Sequence, residues 1–344
     1  MTETFFSLSR ADQREALEFA RTESGRPAHL LEKDIWVVWT LNALFSSTLH
    51  NNLTFKGGTS LSKVYNIIDR FSEDIDLTYD IRKLIPDLIG ETGELPASRS
   101  QASRWTTEVR HRLPDWIKDH VLPVLQEALA QEQINAHLEL TGPSQDKLLL
   151  HYPALVEGTG YIKPTITLEF GGRATGEPNE VHTVHCDVAT HLPDVSFPSA
   201  SPRVMSVSRT FWEKATAVHV FCAQGRIRGE RYARHWHDLA AIARSPYFDT
   251  AIAARDIATA VARHKSLFFI EKDVQGLVID YINATSGNLS LIPMGEAKTA
   301  LEKDYAAMQE DQVLLGDGLP FDELLKACAY VETQANQMAS QGLL

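Results

Sequence analysis

Two aspartates separated by one residue lie in a stretch that alternates polar and apolar side chains. Asp74 and Asp76 belong to the run Asp-Ile-Asp-Leu-Thr-Tyr, and this period of two is typical of a half-buried strand. Both carboxylates then leave the same face, while Ile75 and Leu77 point into the core. Adjacent carboxylates repel each other unless a cation lies between them, and Mg²⁺ prefers hard oxygen ligands. The run therefore predicts a metal-binding strand.

A pair of glycines precedes this strand. Gly57 and Gly58 follow a short apolar run, and a helix is predicted to begin at Thr59 or Ser60 and to continue to Asp69. The first N–H groups of a helix lack internal partners and lie at the positive end of its dipole, so glycines there allow a phosphate to bind closely. Either motif alone is commonly a simple turn or a solvated strand. In this order, they predict a metal–triphosphate site.

A third carboxylate is expected, because a site that clamps two oxygens needs more than two acidic ligands. Glu169 is the candidate, since alternation over 165–170 points it away from the apolar side chains of its strand. An acid on an exposed strand face is the alternative. Arg173 could bind a phosphate or pair with Glu169.

Two further residues lie in predicted helices of the C-terminal part. Lys214 could place its ammonium on a triphosphate as a point charge, although a surface lysine is the ordinary explanation. Asp238 follows Arg231, Arg234 and His235 at helical spacing, so that all four would lie on one helix face. An ion pair between Asp238 and Arg234 is the alternative.

Basic residues concentrate between positions 203 and 234, a stretch that contains seven basic and two acidic residues. In a chain of net charge −12, such a strip suits a polyanionic substrate, and a solvated helical hairpin is the competing explanation. The candidate residues for binding such a substrate are Arg226, Arg228, Arg231 and Arg234.

Length and composition limit the class of protein. The chain has 344 residues, and its net negative charge argues against a nucleic-acid coat protein. Its three cysteines form no CxxC pair, so no disulfide framework or thiolate zinc site is predicted. No apolar run approaches the roughly 18 residues of a membrane span, and acids occupy the place of a signal peptide's basic region. We therefore expect a cytoplasmic protein without a membrane partner.

The order of predicted elements indicates the fold class. Strands and helices mix irregularly over the first two-thirds, and the last third is helical, so an α+β fold with a helical C-terminal part is predicted. The expected division is residues 1–205 for the α+β domain with the metal site and 206–344 for a helical domain that completes the active site.

Several segments resemble a known family, the AbiEii-type nucleotidyltransferase toxins that include the MenT toxins. FKGGTSLSKVYNIIDRFSEDIDL is similar to the first motif of the family, and FWEKATAVHVF to its lysine-bearing motif. RYARHWHDLAAIAR resembles a later motif with a required aspartate, and LLEKDIWVVWTLNALF and TLEFGGR are also similar to family sequences.

The resemblance implies a nucleotidyltransferase-like mixed β-sheet flanked by helices and a toxin that transfers a nucleotide from an NTP to RNA. The implied acceptor is the 3′ end of tRNA, pyrophosphate leaves, translation stops, and an antitoxin is the partner. Mg²⁺ would be held by Asp74, Asp76 and Glu169, and Asp74, Asp76, Lys214 and Asp238 would be catalytic. The residues implied to contact the nucleotide are Gly57, Gly58, Thr59, Ser60, Lys63 and Lys214. Lys33 is a weaker phosphate contact, and the hydroxyl that contacts phosphate is either that of Thr59 or that of Ser60.

Three alternatives stay open at this point. The same site could transfer the nucleotide to a protein or to the chain itself, or the chain could be a non-catalytic NTP-binding module. A glycosyltransferase whose strand carries the Asp-Ile-Asp motif is less favoured, because the glycine turn that would bind phosphate directly precedes that strand.

Overall fold

A computed structural model describes residues 3–70, 72, 74–90, 93–157, 163–227, 230–310, 314, 316 and 318–341 of the chain. Its strands are β1 (Glu3–Thr4), β2 (Leu53–Lys56), β3 (Asp74–Tyr79), β4 (His137–Thr141), β5 (Lys147–His151), β6 (Thr165–Gly171), β7 (Asn179–Val181), β8 (Val184–His185), β9 (Val195–Ser196), β10 (Ser199–Ala200) and β11 (Arg203–Met205).

The α-helices alternate irregularly with these strands and dominate the C-terminal part. They are α1 (Arg10–Ser24), α2 (Ala28–Phe45), α3 (Gly57–Lys63), α4 (Ile81–Leu84), α5 (Pro86–Ile89), α6 (Arg99–Trp116), α7 (Leu122–Gln131), α8 (Val207–Ala223), α9 (Ala233–Ala243), α10 (Phe248–Ala253), α11 (Arg255–Phe268), α12 (Tyr281–Thr285), α13 (Gly295–Glu310) and α14 (Phe321–Gln341).

The main sheet has seven strands in the order β4-β5-β6-β3-β2-β11-β7. β3 runs parallel to β6 and β2 runs parallel to β11, whereas the other neighbours are antiparallel. The predicted α+β class with a mixed sheet and a helical C-terminal part is confirmed. β3 has the bounds that its alternation predicts.

The chain divides into two compact units. The sheet unit comprises Met1–Val64, Ser72–Leu88 and Thr107–Met205, and the helical unit comprises Tyr65–Phe71, Ile89–Thr106 and Ser206–Leu344. The sequence places one boundary after residue 205. In the structure, two short segments from the N-terminal part also belong to the helical unit.

The core of the sheet unit lies on one face of the sheet. Ile75 and Leu77 of β3 are fully buried, as are the matching apolar residues of β6. Helix α2 contacts β6 and is buried around most of its circumference, which is the pattern of a core helix rather than a surface helix. The opposite sheet face therefore carries the polar side chains of β3 and β6.

Helix α2 also buries three consecutive ionisable residues, Glu32, Lys33 and Asp34. Each one bonds a backbone group of a segment distant in the chain, which supplies the hydrogen bond that a buried polar side chain needs. The bonded groups are, in order, the N–H groups of Leu155 and Val156, the carbonyl of Lys163 and the N–H of Asp187. A phosphate contact of Lys33 stays a prediction.

The helical unit packs around buried indoles. Trp212 of α8 and Trp236 of α9 donate from their ring nitrogens to the carbonyls of Ala251 and Leu291. These bonds satisfy the polar edge of each ring, as buried tryptophans require. Among the described residues, no helix combines the length and apolar character needed to cross a membrane.

The helix after the glycine pair is shorter than predicted. It covers Gly57–Lys63 instead of continuing to Asp69, and Asn66 has a left-handed backbone with φ of 51°. Asparagine tolerates this conformation better than most residues, so it ends the helical geometry. The apolar spacing beyond Lys63 reflects packing within the helical unit rather than a continuing helix.

Candidate functional site

The carboxylates of β3 occupy the polar face of the sheet. Asp74 and Asp76 are partly exposed, whereas Ile75 and Leu77 between and beside them are fully buried. The alternation of the strand therefore places both acids on one face, as the sequence predicts.

The carboxylate of Asp76 lies against the backbone of the glycine turn. Gly57 has φ of 82°, and a Cβ atom at this position would be 2.0 Å from Oδ2 of Asp76. A side chain here would strain the backbone and displace the carboxylate at the same time. Gly57 thus allows the turn and the strand carboxylate to be in direct contact.

Glu169 is aligned with this pair across the parallel strands. In the register of β3 and β6, Asp76 lies opposite Glu169, and residues opposite each other project from the same face. On the other side of Glu169, Lys147 of β5 is its register partner, and the Lys147 ammonium contacts Oε1 of Glu169. In the structure the cation that contacts Glu169 is Lys147; pairing with Glu169 is one of the two roles that the sequence leaves open for Arg173.

The donor chemistry of this face fits a magnesium ion. Asp74, Asp76 and Glu169 supply only carboxylate oxygens, which are the ligands that Mg²⁺ prefers, and the contact with Gly57 fixes one of them. Among the described residues, no three His, Cys, Asp or Glu side chains are already arranged to hold a metal. The three acids share a face without converging on one point, so metal binding would require side-chain rotation.

The two hydroxyls predicted to contact phosphate are used inside the fold. Thr59 and Ser60 are buried. The Thr59 hydroxyl donates to the carbonyl of Asp74, and the Ser60 hydroxyl donates to the carbonyl of Gly57 at 2.9 Å. The Thr59 hydroxyl thus joins α3 to the carboxylate strand, whereas the Ser60 hydroxyl bonds within α3 itself.

Lys63, the last residue of α3, lies in a buried ion-pair network. Its ammonium is 2.6 Å from both Oδ1 of Asp34 and Oδ1 of Asp187, and Arg26 also contacts Asp187. Burial alone would lower the pKa of Lys63, but these two carboxylates raise it. The lysine is therefore charged at neutral pH and holds α3 against α2 and the turn at 187–190.

A second cluster of charged residues lies in the helical unit. Asp238 of α9 is fully buried and is bonded by two cations. Arg70 reaches it with Nε and Nη2 at 2.7 and 2.8 Å, and the Lys214 ammonium lies at 2.8 Å. Burial alone would raise the pKa of Asp238, but Arg70 and Lys214 lower it well below its usual value. Lys214 and Asp238, singled out separately in the sequence, are thus direct partners.

The neighbouring histidine is neutral. Burial first, and then the nearby Lys214, lower the pKa of His235 to about 3. Its Nδ1 atom has no hydrogen-bond partner among the described residues. Arg70 and Lys214 are thus the two fixed positive charges next to Asp238, and Nδ1 of His237 lies 3.4 Å from its Oδ1.

The predicted alignment of Arg231 with Asp238 on one helix face is wrong. Helix α9 begins at Ala233, and Arg231 has a left-handed backbone with φ of 69°. The carboxylate of Asp304 accepts hydrogen bonds from the N–H groups of Arg231 and Ala233 at 2.7 Å each, and so holds the chain out of the helix.

The other candidate RNA-binding residues are spread over a loop and the start of α9. Arg226 and Arg231 are exposed, whereas Arg234 is partly buried and donates to the carbonyl of Arg231. The suggested pair of Arg234 with Asp238 is replaced by the pair with Arg70. Arg228 lies outside the described residues.

Four charged residues of these clusters were not singled out in the sequence: Arg70, Lys147, Asp34 and Asp187. Arg70 and Asp34 do stand within segments that resemble family motifs, and this was the one signal available for them. Lys147 and Asp187 have no local pattern, because their roles follow from strand register and from a distant turn.

Carboxylates beside a glycine turn and a buried lysine–aspartate pair are groups that phosphate-transferring enzymes use. The family described as "Nucleotidyl transferase AbiEii toxin, Type IV TA system" matches residues 39–327. The chain therefore belongs to the AbiEii nucleotidyltransferase toxin family, which confirms the resemblance seen in the motifs.

The chain is also similar to a solved structure, the nucleotidyltransferase toxin MenT4 from Mycobacterium tuberculosis. The match covers 96% of this chain and 99% of that chain, at 16% sequence identity and a TM-score of 0.41. No curated protein matches the chain.

Proposed function

We propose that this member of the family is a Mg²⁺-dependent enzyme that transfers a nucleotide from an NTP to the 3′ end of tRNA and thereby stops translation in the cytoplasm. The observation that carries the proposal is the shared face of Asp74, Asp76 and Glu169, with Asp76 in contact with the turn at Gly57. Together they supply acidic ligands and main-chain N–H groups for a triphosphate.

The strand carboxylates would hold the metal ion. Bound Mg²⁺ supplies charge neutralisation for the attacking and leaving oxygens of the phosphate. The contact with Gly57 holds the Asp76 carboxylate in position next to the turn. Thr59 keeps α3 against β3 through the hydrogen bond from its hydroxyl to the Asp74 carbonyl. In the proposed reaction, the acceptor hydroxyl attacks the α-phosphorus and pyrophosphate leaves.

Lys214 would contribute a positive charge to the triphosphate, with Asp238 holding it in place. Both oxygens of Asp238 accept from cations, and its pKa is lowered well below the usual value. An ionised carboxylate with this environment is a poor proton acceptor, so we assign Asp238 a positioning role. Arg70 bonds both oxygens of the same carboxylate, so the three residues together keep one positive charge.

The acceptor would be bound through cationic side chains. Arg226 and Arg231 are exposed in the helical unit and can neutralise phosphates of an RNA backbone. A cognate antitoxin is the expected protein partner, in keeping with the type IV toxin–antitoxin family. A small DNA-binding protein encoded immediately upstream would support that pairing.

The direct test is nucleotide transfer in vitro. Purified protein is incubated with total tRNA, Mg²⁺ and each of the four labelled NTPs in turn, and we expect label in tRNA with at least one nucleotide. The Asp76→Asn variant should fold and give no label. Absence of label with every nucleotide would contradict the proposal, and a nucleotide adduct on protein, seen by mass spectrometry, would redirect it to a protein acceptor.

A further inference from the structure

We propose that Lys147 is an internal counter-ion that occupies the carboxylate face of the sheet until a divalent cation displaces it. This inference rests on the proposed function, in which Glu169 is a metal ligand. Lys147 and Glu169 are register partners on antiparallel strands, and the ammonium contacts Oε1 of Glu169. The lysine is thus bonded to the carboxylate that a metal ion would need.

The surroundings of the ammonium are those that attract a cation. Besides Glu169, the carboxylates of Asp74 and Asp146 act on Lys147 electrostatically. Asp76 lies opposite Glu169 on the next strand, so the face holds several acids that repel each other when no cation is present. An ammonium from β5 partly neutralises this charge and stabilises the ligand-free sheet.

A metal ion and the ammonium cannot share Glu169 without strong repulsion. Two cations a few ångströms apart repel, and a divalent ion doubles that energy relative to two unit charges. The pair is well exposed, with 40% of the Lys147 side chain and 38% of the Glu169 side chain accessible. Ion pairs of this exposure are weak, so the flexible lysine can leave at small cost when a metal ion arrives.

This exchange makes Lys147 a determinant of metal affinity. Since the carboxylate must first lose its ammonium, the lysine weakens binding of a free divalent cation. Removing the lysine should therefore tighten metal binding, which is the opposite of what loss of a ligand-binding residue would do.

The experiment measures binding of Mn²⁺ to the nucleotide-free full chain by electron paramagnetic resonance at neutral pH. We expect Lys147→Met to bind Mn²⁺ roughly three- to tenfold more tightly than the unmodified protein, and Lys147→Arg to bind with nearly unchanged affinity. Lys118→Met removes the same charge at an exposed position on the segment 117–121 and should leave the affinity unchanged.

A double-mutant cycle locates the effect. Glu169→Gln removes the carboxylate that both cations need, so adding Lys147→Met to it should no longer tighten Mn²⁺ binding. Affinity in Lys147→Met that equals or falls below that of the unmodified protein would overturn the inference, as would equal tightening in the Glu169→Gln background.

The same measurements separate this inference from the proposed function. If Asp76→Asn loses Mn²⁺ binding and Lys147→Met has no effect, the counter-ion role of Lys147 is rejected while the proposed metal site is retained. Absence of Mn²⁺ binding in the unmodified protein would reject both. Thermal unfolding of each variant shows that it is folded before its affinity is measured.

Discussion

The guanidinium of Arg70 and the carboxylate of Asp238 form a buried two-point ion pair that joins residues 168 positions apart in the chain. Asp238 is fully buried and Arg70 almost so, and Lys214 adds a third charge to the pair. Because one carboxylate faces two cations, the cluster keeps a net positive charge. The carboxylate of Asp238 holds both cations in place.

The first prediction concerns the carboxylate of this cluster. Asp238→Asn leaves Arg70 and Lys214 without their counter-ion in a buried place, which should reduce the free energy of unfolding by about 3–5 kcal/mol. Urea unfolding measures the change. Glu302→Gln removes a negative charge from an exposed position of α13 and should change stability by less than about 0.5 kcal/mol. Equal stabilities of the two variants would contradict the role given to the pair.

The second prediction concerns pH. Since the folded-state pKa of Asp238 lies well below its usual value, ionisation of this group favours the folded state above the unfolded pKa of about 3.9. The contribution is complete above about pH 5 and is lost as the pH falls through the folded pKa. The difference in unfolding free energy between the unmodified protein and Asp238→Asn should shrink steadily below about pH 4. A difference that stays constant down to pH 2 would argue against an ionised Asp238.

The third prediction uses two glycines with similar backbones. Gly57 and Gly25 both have positive φ, 82° and 72°, but a Cβ at Gly57 would overlap Asp76, whereas none of the described atoms lies within 4 Å of one at Gly25. Gly25→Ala should cost about 1 kcal/mol from backbone strain and leave nucleotide transfer intact. Gly57→Ala should cost more and abolish both transfer and Mn²⁺ binding, because it displaces the carboxylate. Binding at the unmodified affinity in Gly57→Ala would refute the proposed contact.

The fourth prediction concerns the network under α3. Lys63→Met leaves the buried carboxylate of Asp34 without its cation, so we expect a loss of about 3 kcal/mol in unfolding free energy. Lys63→Arg keeps the charge and should recover part of the loss. Lys118→Met is the matched control for removal of one exposed lysine. If Lys63→Met unfolds at the same urea concentration as this control, the network does not hold α3.

The strands could be predicted from the sequence because their information is local. Alternation of polar and apolar residues gave β3 its bounds and placed Asp74 and Asp76 on one face, and it separated Glu169 from its apolar neighbours. Those regularities depend only on the two-residue repeat of an extended chain.

The partners of these residues could not be predicted, because they depend on pairing between distant segments. Lys147 meets Glu169 through strand register, and the helix boundary near Arg231 is set by the carboxylate of Asp304 more than seventy positions away. The burial of Asp238 was missed for the same reason: a charged residue at helical spacing reads as exposed until its cationic partner from another segment is known.

The three buried ionisable residues of α2 have a consequence for how the sheet unit folds. Glu32, Lys33 and Asp34 bond backbone groups that are 123 to 153 positions later in the chain. Contacts of such large sequence separation form late, because the intervening chain must first be ordered at an entropic cost. The hydrogen bonds of this turn of α2 can therefore be completed only once the segments around residues 155, 163 and 187 are in place.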